Sequence, residues 1–157
     1  MNFNSPPTSP VMALQGWFDE AEILAARPNP HAVALSTVNP EGIPSSRMVL
    51  LKGFSESGAL FFTNYSSEKA HEIETNPNVS LLFHWDSMHR QIRIQGKATK
   101  LSEEESDEYF ATRNRLSQVG AWASKQSQPL KNRTALIAKV AVLSAKWAGR
   151  SVPRPEF

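Results

Sequence analysis

Apolar positions recur along this chain with two different periods, and each change of period marks a boundary. Over residues 11–26 the run VMALQGWFDEAEILAA sets Leu14, Trp17, Phe18, Ala21 and Leu24 on one face of a helix. Ser9-Pro10 supplies a cap and first turn, and Arg27-Pro28-Asn29-Pro30 stops it. The period then shortens to that of strands, predicted at 31–38, 45–54, 59–64, 79–85 and 90–101. Asn39-Pro40-Glu41-Gly42 and Ser55-Glu56-Ser57-Gly58 are the turns after the first two. A polar helix, 66–76, interrupts the series and is closed by Asn76-Pro77. The last strand alternates Ile92, Ile94 and Gly96 against Gln91, Arg93 and Gln95. Links this short predict an antiparallel barrel rather than parallel units with crossover helices.

Past that point the pattern is helical again. Ser102 with Glu105 forms a capping box that opens 103–112, and 117–124 is a second short helix, broken by Gln126-Ser127-Gln128-Pro129. A third, 130–147, carries Leu136, Val140, Leu143 and Trp147 on one stripe. The fold class that follows is mainly β with flanking helices (α+β). Residues 1–10, rich in Pro and Ser, read as a flexible lead, and 11–157 as one domain with a helical C-terminal half.

Composition narrows this only a little. A chain of 157 residues can bury a core without staples, and none of them is Cys, which excludes disulfides, thiolate nucleophiles and cysteine metal sites. No apolar run is long enough for a transmembrane helix, and MNFNSPPTSP lacks the basic and apolar regions of a secretory signal, so a cytoplasmic location is expected. The formal charge of +2 is spread along the chain without the Lys/Arg cluster that nucleic acid would require. A small anion suits dispersed cations beside hydroxyls better.

Catalytic patterns are sparse. No serine lies in a Gly-x-Ser-x-Gly elbow, His84 and His89 flank a turn without a third metal ligand, and no glycine-rich phosphate loop is present. A scattered set of anion-binding side chains remains. Arg47 and Lys52 bracket the apolar run Met48-Val49-Leu50-Leu51, and Lys69 lies in the first turn of the 66–76 helix, where a bound phosphate would offset its clash with the helix dipole. Arg47 and Lys52 are an odd number of positions apart and face opposite sides of an ideal strand, so one shared site needs a bulge or twist near Gly53, and otherwise the two serve separate phosphates. Tyr109, Arg113 and Ser117 are spaced by four, and on a continued helix they would present a guanidinium between two hydroxyls, a match for phosphate. Gln91, Gln126 and Ser127 can hydrogen-bond a heterocycle edge. Each residue also has a plainer account: an exposed strand charge for Arg47, a snorkelling stem for Lys52, pairing with Glu72 or Glu68 for Lys69, and solvated polar groups for the rest.

In order along the chain, SSRMVLLKGF, LFFTNYSSEKAHEIETNPNVSLLFHW, RQIRIQGKATKLS, YFATRNRLSQVGAWASKQS and VPRPEF resemble the pyridoxamine 5′-phosphate oxidase family of FMN flavoproteins, over roughly residues 32–157. The resemblance implies a split β-barrel that forms a homodimer. It implies FMN held by Arg47, Met48, Val49, Leu50, Leu51, Lys52, Phe62, Thr63, Lys69, Gln91, Gln126 and Ser127. The phosphate of the vitamin B6 substrate would rest on Lys52, Tyr109, Arg113 and Ser117.

The implied reaction oxidises pyridoxine 5′-phosphate or pyridoxamine 5′-phosphate to pyridoxal 5′-phosphate. A hydride leaves the substrate C4′ for the flavin, dioxygen is reduced to hydrogen peroxide, and no catalytic side chain is obligatory. Some positions depart from the family pattern. Ser67-Glu68-Lys69 replaces Ser-Arg-Lys, so Glu68 weakens phosphate binding if it faces the phosphate, and Phe62 stands for a common Tyr. The chain ends before the family's C-terminal Trp and Arg-x-His segment and lacks its basic, tyrosine-containing N-terminal arm. The expectation is therefore an oxidase truncated at its C-terminus and of reduced catalytic competence, the alternative being an FMN- or pyridoxal-phosphate-binding protein of the same fold with little or no turnover.

Overall fold

The computed structural model describes residues 4–24 and 29–157. Helix α1 (Pro10–Leu24) starts where the sequence places it, with Val11 N–H donating to Ser9 Oγ at 3.2 Å. The end of the predicted helix at 25–26 and the Arg27-Pro28 stop lie outside the described residues.

All five predicted strands form: β1 (Ala32–Val38), β2 (Pro44–Ser55), β3 (Gly58–Phe61), β4 (Asn78–Trp85) and β5 (Arg90–Lys97). Each neighbour runs antiparallel in one sheet of order β3-β2-β1-β4-β5, so β3 and β5 are its edges. Two strands end well before their predicted ends. β3 ends at the Leu51–Phe61 pair, which leaves Phe62, Thr63 and Asn64 outside the ladder. β5 ends at Lys97 because its partner strand begins at Asn78, and Ala98 N–H then bonds to the Pro77 carbonyl at 2.9 Å. The first turn closes through Asn39, whose Oδ1 accepts Ile43 N–H at 2.8 Å, with Gly42 at φ +82°, a value that favours glycine.

The chain divides into two compact units. One comprises the described residues up to Thr63 together with Glu72–Ala98. Alternation along its strands sends Val33, Leu35, Leu51, Leu81, Phe83 and Trp85 to one face, where α1 covers them with Leu14, Phe18 and Ala21. Phe18 meets the rings of Phe83 and Trp85 edge-on at 5.2 and 5.1 Å, and Trp85 donates its indole N–H to the Pro30 carbonyl at 2.9 Å. The other face of the sheet carries Met48, 64% exposed, with Leu50 and Leu82 also exposed.

The second unit comprises Asn64–His71 and Thr99–Phe157 and holds α3 (Glu103–Thr112), α4 (Arg115–Ala123) and α5 (Arg133–Lys146). The Ser102 capping box is present with both hydrogen bonds, and Asn114 and Asn132 cap the next two helices. Its core is Phe110, Val119, Trp147 and Val152, and Trp122 donates to the Pro153 carbonyl at 2.8 Å. Helix α2 (Glu68–Thr75) begins in this unit and ends in the sheet unit. No helix among the described residues is long and apolar enough to cross a membrane.

Candidate functional site

Strict alternation along β2 decides where its candidate residues go. Arg47, Val49 and Leu51 turn toward the covered face, while Met48, Leu50 and Lys52 are exposed. Arg47 is thus no free strand charge. Its Nη2 donates to Glu72 Oε2 at 2.9 Å, and its Nη1 donates to the carbonyls of Leu35 at 3.3 Å and Ser45 at 3.2 Å and to Thr37 Oγ1. The hydroxyls of Thr37 and Ser45 in turn donate to Glu72, the latter at 3.1 Å. The plainer account of Lys69 pairs it with Glu72 or Glu68 on its own helix. Instead, both oxygens of Glu72 are engaged by β1 and β2.

Burial pushes the Glu72 carboxyl up, but the Thr37 and Ser45 hydroxyls and the Arg47 charge outweigh it and hold the group below its ordinary value. A carboxylate favoured in the folded state adds stability that is whole above the unfolded glutamate pKa and is lost as pH falls through the lowered folded value. The melting-temperature advantage of the parent over Glu72→Gln is therefore expected to shrink by a few °C on acidification below about pH 4.5. Thermal unfolding across a pH series reads this. An advantage unchanged down to pH 3 would show that the ionised carboxylate contributes nothing.

Lys52 is the extra residue where the β2–β3 register shifts, between the Leu51–Phe61 and Gly53–Leu60 pairs, next to the Gly53 position at which a shared site calls for a bulge or twist. The bulge does not bring it to the side of Arg47, and its side chain is exposed. Gln91 lies on the exposed face of β5, and Phe62 and Thr63 are half-buried beyond β3.

In the helical unit, Lys69 is 8% exposed, so it is not the solvated lysine of the simpler account. Its ammonium donates to Ser67 Oγ at 3.2 Å and to Gln126 Oε1 at 2.9 Å. Ser127, at φ 60°, turns its hydroxyl back to accept the Glu68 N–H at 3.3 Å, so it caps the start of α2 across 59 positions of sequence. Glu68 itself is exposed. Lys69, Gln126 and Ser127, predicted separately, thus converge on the first turn of α2. An ammonium, a carboxamide and a hydroxyl beside a helix N-terminus fit the phosphate of a nucleotide.

The continuous helix carrying Tyr109, Arg113 and Ser117 does not form. α3 stops at Thr112, Arg113 is extended at φ −70°, ψ 144°, and Asn114 Oδ1 accepts Ser117 N–H at 2.9 Å to start α4. Asn114 was the signal for that break. Tyr109 and Ser117 therefore sit on separate helices, and all three side chains are half-buried, with the Arg113 guanidinium 5.7 Å from the Phe110 ring centre. Among the described residues there is no cluster of His, Asp or Glu that could hold a metal.

Residues 19–146 match the family described as pyridoxamine 5′-phosphate oxidase. A Rubrobacter xylanophilus protein named pyridoxine/pyridoxamine 5′-phosphate oxidase is 51% identical over 148 residues, 94% of this chain and 68% of the relative. This chain belongs to the pyridoxamine 5′-phosphate oxidase family. An Azorhizobium caulinodans protein of the same name is 48% identical over 93% of this family member and 68% of its own length. Among solved structures, PhzG from Burkholderia lata, in complex with tetrahydrophenazine-1-carboxylic acid, superposes with a TM-score of 0.89 at 33% identity, covering 98% of this chain and 74% of PhzG. A Nostoc punctiforme FMN-binding protein related to the family shares the fold at TM-score 0.65 and 17% identity, covering 84% of this chain and 73% of its own. The half-barrel of five strands is therefore the split barrel of this oxidase family.

Proposed function

We propose that this family member is an FMN-dependent oxidase that converts pyridoxine 5′-phosphate or pyridoxamine 5′-phosphate to pyridoxal 5′-phosphate, and that it works as a homodimer. The observation that carries the reading is the 51% identity to a relative of that name. The family match over 19–146 also includes every residue assigned a role below.

Lys69, Gln126 and Ser127 suit the FMN phosphate, with Arg47, Met48, Val49, Leu50, Leu51, Lys52, Phe62, Thr63 and Gln91 completing the proposed cofactor set. Lys52, Tyr109, Arg113 and Ser117 are proposed to take the substrate phosphate. When bound, FMN supplies a two-electron acceptor that dioxygen can reoxidise. The protein's part is to neutralise two phosphates and hold the substrate ring in register, which needs cations, hydroxyls and amides rather than a general base. Overall, the alcohol substrate loses two electrons and two protons at C4′, and dioxygen takes them up as hydrogen peroxide. The amine substrate also consumes water and releases ammonia.

The PhzG likeness favours a second reading, in which a reduced heterocyclic acid is the substrate. Anaerobic mixing of the FMN-loaded protein with pyridoxine 5′-phosphate separates the two. Bleaching of the oxidised flavin with formation of pyridoxal 5′-phosphate is the expected result. Bleaching by a dihydroaromatic acid but not by the B6 phosphate would favour the second reading, and bound flavin that neither bleaches would make the chain a flavin-binding protein. For the dimer, light scattering is expected to give twice the 17.5 kDa chain mass.

A further inference from the structure

Arg47 is among the residues proposed to hold FMN, yet its charge is already compensated within the sheet unit. The Glu72 side chain is 5% exposed and the Arg47 side chain 22%. Carboxylate and guanidinium meet at 2.9 Å, and two hydroxyls, Thr37 and Ser45, complete the set. The carboxylate comes from α2 and the guanidinium from the middle of β2, 25 positions away. Thr37 ties them together, accepting from Arg47 and donating to Glu72. Among the described residues, Nε of Arg47 has no hydrogen-bond partner.

A phosphate approaching this guanidinium meets two opposed effects. Arg47 is held in one orientation before any ligand arrives, which lowers the ordering cost of binding. The same carboxylate repels the incoming anion, and in a partly buried site that repulsion is weakly screened.

We propose that Glu72 is an internal counter-anion that positions Arg47 and limits how tightly it can hold a phosphate. This inference rests on the FMN reading above, and it adds a residue that sets the phosphate share of cofactor affinity. An isosteric test is available because glutamine can reproduce the hydrogen-bond geometry. Its carbonyl can take the Oε2 position and accept from Arg47 and Thr37, while its amide donates to the Ser45 hydroxyl. Glu72→Gln therefore removes charge and keeps orientation.

The readout is the ratio of the riboflavin Kd to the FMN Kd, from flavin fluorescence titrations, because riboflavin lacks the phosphate. Glu72→Gln is expected to raise this ratio about tenfold over the parent. A merely structural role for Glu72 would move both affinities together, so an unchanged or lower ratio would overturn the inference while leaving the FMN reading intact. Should Glu72→Gln fail to fold, Arg47→Gln/Glu72→Gln replaces the ion pair by neutral groups of similar size. Because the pair is internally compensated, this double variant is expected to keep the ratio within about fivefold of the parent. A fall of about 30-fold or more would mean Arg47 presents its full charge to the phosphate, against the inference. A parent protein that binds neither flavin would overturn the FMN reading and this inference with it.

Discussion

Arg113→Ala is expected to raise KM for pyridoxine 5′-phosphate by about 100-fold while the FMN Kd stays within about threefold. Truncating one side of a desolvated, hydrogen-bonded charge pair costs roughly 2–5 kcal/mol, and 100-fold lies inside that range. The backbone makes the effect specific to this side chain. Arg113 stands at the break between α3 and α4, extended at φ −70° and ψ 144°, and its own N–H is satisfied by the Phe110 carbonyl at 3.2 Å. The hydrogen bonds that fix the junction belong to its neighbours. Thr112 Oγ bonds to the Tyr109 carbonyl at 2.7 Å, Asn114 caps α4, and Gln118 Nε2 donates to the Phe110 carbonyl at 3.0 Å. Removing the guanidinium therefore leaves the junction standing. Steady-state kinetics paired with flavin titration checks the result. Equal losses of substrate and FMN affinity would mean that Arg113 supports the fold or the cofactor instead.

The largest effect on stability is expected at Phe83. It is 0% exposed at the centre of the sheet core, edge-on to Phe18 at 5.2 Å and tilted against Trp85 at 5.7 Å. Phe83→Ala should cost about 3–5 kcal/mol, combining lost transfer energy with a cavity that its neighbours fill only in part. Urea unfolding would show a lower midpoint with an unchanged slope. A loss under about 1 kcal/mol would mean that the site collapses around the missing ring or fills with water.

Much of this fold could be read from local pattern because its elements are stabilised by local rules. The strands alternate cleanly, and α3 starts and ends as its capping box and pattern indicate. Boundaries failed where a distant partner or an overlooked cap decided them. β5 stops because β4 starts at Asn78, and α5 starts at Arg133 because Asn132, not the region of Leu130, is its cap. The site divides the same way. Lys69, Gln126 and Ser127 could each be named from motif resemblance, but their convergence joins positions 57 and 59 apart, which no local rule encodes. Glu72 was visible only as a neighbour of Lys69, and its attachment to Arg47 follows from the packing of α2 near β1 and β2.

The bulge at Lys52 bears on which residues this strand could lose. Leu51 is buried, and Phe54, three positions on, packs against the same core only because one residue between them does not count in the pairing. Deleting Lys52 would leave Leu51 opposite Phe61, Gly53 opposite Leu60 and Phe54 opposite Ala59, an unbroken ladder with the same side chains inward. A single-residue deletion elsewhere in β2 would reverse part of the strand and expose its apolar face. Within β2, Lys52 is thus a position at which shortening is compatible with the barrel wall. What that position adds is an ammonium group projecting from the sheet, so a shortened variant would separate the demands of folding from those of ligand binding at a single residue.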